Sequence, residues 1–140
     1  MNEKRDALNE FYSTINKNYN GDRVEYLKDL LTHFDSIKKD NTARAYLKDI
    51  LSRESIISLT NQKRGEQLST IEIAIIRAND IELFYEDMLA NKLNNGDCID
   101  IAISRANYIA DMLNEGIVKN YLLEIIKDYK ARLSSHTPAA

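Results

Sequence analysis

Carboxylates are the groups best placed to do chemistry in this sequence. Glu82 and Glu86 stand one helical turn apart, and Asp100 and Asp111 follow on the next helical stretch. Oxygen ligands of this kind suit a hard cation such as Mg²⁺, which can activate water or polarise a phosphate. The tighter Glu-x-x-Glu and Glu-x-x-Asp pairs of such sites are absent from these two helical stretches. Glu86 and Asp111 also fall on the polar arc of their helices, where a solvated acidic face accounts for them. Cys98 is the one thiol. It sits in an expected first helical turn, but no histidine lies near it in sequence, and Asp97 and Asp100 oppose a thiolate. A small packed side chain is the better reading. His33 and His136 are the only histidines, which excludes a multi-histidine metal site. No glycine-rich phosphate loop is present. The expectation is no catalytic residue, no cofactor and no metal.

Basic residues offer a second chemistry. Lys38, Lys39, Arg44, Lys48, Arg53, Lys63 and Arg64 gather within residues 38–64, with Tyr46 among them. They are the candidate nucleic-acid contacts. Useful affinity at physiological salt takes about six to ten phosphate contacts, and Asp40, Asp49 and Glu54 interrupt the run. The whole chain carries 19 Lys and Arg against 22 Asp and Glu, a net charge of −3. That balance marks neither a basic nucleic-acid binder nor an acidic mimic of DNA.

The third group is a pair of arginines in an internal repeat. Residues 71–81, IEIAIIRANDI, match residues 99–109, IDIAISRANYI, at eight of eleven positions. Arg77 and Arg105 occupy the same place in the two copies. On a helical projection each falls inside the apolar arc. Such an arginine either packs its stem and pairs its head with a carboxylate, or presents its head to an acidic partner. Pairing is the expected state, with Glu82 as the acceptor for one of the two. The helix over the first copy is apolar on more than half its circumference, since Ile73, Ile76, Leu83 and Phe84 lie outside one narrow stripe. A helix of that kind is central in its bundle or covered by another chain. Arg77, Arg105, Ile73, Ile76, Leu83 and Phe84 are therefore the candidate partner-binding residues.

Helices must position these groups. Four Gly and one Pro in 140 residues are too few for a turn-rich β fold. Apolar spacings of three and four predict helices over about 3–19, 23–39 and 42–54. Asp22-Arg23-Val24-Glu25 and Ser69-Thr70-Ile71-Glu72 read as capping boxes. Residues 55–68 read as a short helical turn and an exposed loop. Further helices are expected near 70–93, 98–114 and 117–133. The repeated copies follow one another closely, so they form an antiparallel hairpin.

The fold expectation is all-α: a compact bundle of five to six helices with a central antiparallel hairpin, helices near 70–93 and 98–114, built from an internal repeat. Residues 1–133 form a single helical domain and 134–140 a flexible C-terminal tail. The N-terminus lacks the apolar run of a signal peptide and no stretch is long enough to span a membrane, so a cytoplasmic protein is expected. The lone cysteine suits a reducing compartment. A phage or mobile-element origin fits the size and composition. The functional expectation is a non-catalytic helical interaction protein, an adaptor, inhibitor or assembly subunit. It would bind a protein partner or itself, possess no membrane segment, and be rich in tyrosine anchors. The alternatives are a nucleic-acid-associated helical module and a Mg²⁺-dependent all-α nucleotide pyrophosphohydrolase.

Overall fold

The computed structural model describes residues 22–37, 41–90 and 95–136. The expected helix over 3–19, together with Lys38 and Lys39, lies outside the described residues. Among these residues the chain is all-helical, with α1 (Arg23–Ser36), α2 (Asn41–Lys63), α3 (Thr70–Leu89), α4 (Asn95–Met112) and α5 (Ile117–His136). Its contacts cluster into two compact units, Met1–Glu72 and Ile73–Ala140.

In the first unit Asp22 caps α1. Its Oδ1 accepts from the Glu25 N–H at 3.2 Å, satisfying one of the helix's orphan donors. Tyr26, Leu27, Leu30, Leu31 and Phe34 form the buried stripe that faces α2. Arg44 lays its guanidinium 4.0 Å from the centre of the Phe34 ring.

Helix α2 corrects the sequence expectation, because it continues without a break through residues 55–63. Its buried stripe runs Ala43, Leu47, Ile50, Leu51, Glu54, Ser55, Ser58. The helical spacing persists but the side chains turn polar, so an apolar periodicity loses the helix at Glu54. Ser55 Oγ donates to the Ser52 carbonyl at 2.7 Å, which satisfies it inside the helix. The helix ends in a Schellman motif: Gly65 N–H donates to the Gln62 carbonyl at 2.9 Å and Glu66 N–H to the Asn61 carbonyl at 3.1 Å. Gly65 takes φ +95°, where a Cβ would be strained.

The second unit holds α3 from Ile73 onward, α4 and α5. Helix α4 packs on α5. Tyr85 of α3 meets Tyr129 of α5 edge to face, ring centres 5.2 Å apart. Helix α3 ends at Leu89, short of the expected residue 93, and α4 begins at Asn95 and ends at Met112. Helix α5 extends past Leu133 to His136, with Ser135 Oγ donating to the Ala131 carbonyl at 3.2 Å. The flexible tail expected from Ser134 is therefore helical for its first three residues; residues 137–140 lie outside the described set. None of the described helices is long and apolar enough to cross a membrane.

Candidate functional site

The most heavily built polar site lies in the first unit, around Arg23. Asp22 starts α1, so Arg23 stands in the first turn, from which its long stem reaches α2 and the first turn of α3. Nε donates to Glu72 Oε2 at 2.9 Å and Nη1 to Glu54 Oε1 at 2.7 Å. Nη2 donates to the Glu54 carbonyl at 2.9 Å and to Ser58 Oγ at 2.8 Å. Ser58 Oγ in turn donates to Glu72 Oε2 at 2.7 Å, and Tyr26 Oη donates to Glu54 Oε2 at 2.9 Å. Ser69 completes the set. Its N–H and Oγ both donate to Glu72 Oε1, at 3.0 and 2.9 Å, which is the expected capping box with its glutamate shared.

Glu54 is only 3% exposed and Glu72 7%. Burial pushes the Glu72 pKa up. Donors from Ser69, Ser58 and Arg23 outweigh it and hold the carboxyl at about 2. Burial likewise opposes the Arg23 charge, but Glu54 and Glu72 prevail and raise its pKa. All four carboxylate oxygens accept hydrogen bonds, and among the described residues no buried side-chain nitrogen or oxygen lacks a partner. An acid this strong carries no proton near neutrality, so Glu72 is neither a general acid nor an effective general base there. The network is a pin that joins α1, α2 and the start of α3. Glu54 and Ser58 were missed in the sequence because the helix carrying them was ended too early.

The second site is a surface of the second unit. Arg77 and Arg105 come together at one hollow, lined also by Ser104, Tyr108 and Ile109. An adjoining hollow is lined by Asp80, Phe84, Ile101, Ala102 and Arg105. Arg77 Nη1 lies 3.7 Å from Asp80 Oδ2. Burial raises the Asp80 pKa, while the charges of Arg77 and Arg105 pull it down less strongly. Asp80, not Glu82, is thus the carboxylate near both arginines. The reason is angular: Asp80 follows Arg77 by three residues on the same helical face, whereas Glu82 lies about 140° away around the helix. Glu82 instead acts on Tyr129, whose pKa is raised first by burial and then by this carboxylate.

Of the candidate partner-binding residues, Leu83 and Arg105 are exposed, and Arg77, Ile73 and Phe84 are half-buried. Ile76 is corrected: at 5% exposure it belongs to the core and is not accessible to a partner. The largest exposed side chains of this surface are ones the sequence reading did not single out. Tyr108 is 67% exposed, Met112 66% and Ile101 54%. With Arg105 they form one stripe along α4, spaced four, three and four residues. The opposite face buries Ala102, Ala106 and Ala110. The signal was present as spacing, but α4 carries apolar residues on two faces, and spacing alone does not say which of them packs inward.

The basic candidates do not converge as clearly. Arg44 is committed to Phe34, Lys48 is half-buried, Arg53 is exposed along α2, and Lys63 and Arg64 are exposed at its end. Among the described residues no group of three or more His, Cys, Asp or Glu could hold a metal ion. Comparison with protein families, curated proteins and solved structures finds no match.

Proposed function

We propose that the chain is a non-catalytic helical interaction protein, an adaptor, inhibitor or assembly subunit, that binds through the outer face of α4 and the adjoining edge of α3. The carrying observation is the stripe Ile101, Arg105, Tyr108 and Met112. Helix α4 already packs inward through Ile99, Ala102, Ile103, Ala106 and Ala110, so the isoleucine, tyrosine and methionine it presents to water are apolar surface that its own core does not use. Arginine and tyrosine are also the residues that most often anchor interfaces. Among the described residues the nucleic-acid alternative rests on the exposed Arg53, Lys63 and Arg64.

The repeat-built hairpin is part of this reading. Three equivalent pairs are buried in both copies, Ala74 and Ala102, Ile75 and Ile103, Ala78 and Ala106, while Ile73 and Arg77 are half-buried where Ile101 and Arg105 are exposed. Arg77 shares its hollow with Tyr108, and Phe84 shares its own with Ile101. Numbers rising along α3 are thus matched by numbers falling along α4, which supports an antiparallel pair.

A double variant, Tyr108→Glu with Met112→Glu, tests the function. The expected outcome is an unchanged helical spectrum and melting temperature, with loss of binding of a hydrophobic dye. A large drop in melting temperature would place these side chains in the core and end the proposal.

A further inference from the structure

We infer that the partner of this face is a second copy of the chain, docked α4 against α4 in antiparallel fashion about a twofold axis. This rests on the interaction reading above and names its partner. Spacing of four, three and four residues is the seam spacing of paired helices, and it reads the same from either end. Laid antiparallel on its own copy, Ile101 opposes the partner's Met112 and Arg105 opposes the partner's Tyr108. The pairing is self-complementary, as a twofold interface requires. Apolar groups meet at the two ends, and a guanidinium meets a tyrosine ring on each side of the centre. The chain uses that type of contact internally, with Arg132 4.6 Å from the centre of the Tyr129 ring and Arg44 over Phe34.

The charges favour the same direction. A parallel pair would place Arg105 directly on the partner's Arg105. The antiparallel pair offsets the two by three residues, about 4.5 Å along the axis, and each keeps Asp80 of its own chain beside it. Ser104 flanks the seam opposite the partner's Asp111, so no two carboxylates are forced together there. The seam is short, about 17 Å from Ile101 to Met112, and belongs with weak, transient interfaces. The dimer is therefore reversible and depends on concentration.

Crosslinking in a Cys98→Ser background reads the register. Ile101→Cys and Met112→Cys chains are oxidised separately and as a mixture. The expected result is a disulfide dimer in the mixture and little in either alone. Dimers from each variant alone would mean a parallel seam and overturn the inference. Light scattering on the unmodified chain from about 5 to about 500 µM should show the mass rising toward that of a dimer, with Tyr108→Glu moving the midpoint at least about tenfold higher. A chain monomeric throughout, or a midpoint unmoved by Tyr108→Glu, overturns it too. Dye binding separates this failure from failure of the function proposed above. A monomer that binds the dye through Tyr108 and Met112 still has an interaction face and lacks only this partner. A monomer that binds none loses both.

Discussion

Arg23→Met removes one positive charge and leaves Glu54 and Glu72 buried without it. Stranding buried charge costs roughly 3–5 kcal/mol, so the midpoint of chemical denaturation should fall by a large fraction of the total stability. A loss under about 1 kcal/mol would show that water reaches the network. Glu72 gives the same site a pH signature. Its folded pKa, about 2, lies below the ordinary 4.5, so its contribution is complete above pH 4.5 and fades as pH falls from there toward 2. Glu72→Gln should flatten that acid limb in a pH series of melting temperatures. An acid limb identical in the two proteins would mean that another carboxylate carries it. Ser69→Ala removes a cap and the hydroxyl donor to Glu72 while the backbone N–H donor stays, and should cost about 1 kcal/mol in the same assay.

At the scale of elements, α2 and α4 show what a sequence conceals. The cap at Asp22 and the capping box at Ser69 were legible because they need only one or two residue types at fixed spacing. The second half of α2 was not, since its inward stripe is Glu54, Ser55 and Ser58, and its partner Arg23 comes from another helix. No local pattern announces a buried polar stripe whose donor lies 31 residues away in sequence. In α4 the spacing was legible and the direction was not. Ala102, Ala106 and Ala110 face inward, where small side chains let a neighbouring helix approach closely, and that choice is made by packing. The end of α2 yields a further test. Gly65 has open space around its Cα, so Gly65→Ala meets no clash and pays only for its left-handed backbone. It should lower stability by about 1 kcal/mol in thermal denaturation. No loss at all would mean that the helix ends elsewhere.

For the molecule as a whole, the charge is unevenly shared. Residues 1–64 carry 12 basic and 10 acidic groups, and residues 65–140 carry 7 and 12. The two arginines of the α3–α4 surface are therefore a cationic spot on the acidic part of the chain, framed by exposed apolar groups. The central claim is that this surface is open in the single chain. Thiol labelling measures that most directly. In a Cys98→Ser background, Tyr108→Cys and Ala110→Cys differ by two residues but face opposite sides of α4. With a bulky maleimide at low micromolar protein, Tyr108→Cys should react within about tenfold of an unfolded peptide, and Ala110→Cys at least about a hundredfold more slowly, at matched melting temperatures. Equal protection of the two thiols would contradict the account, because the face assigned to a partner would then already be covered.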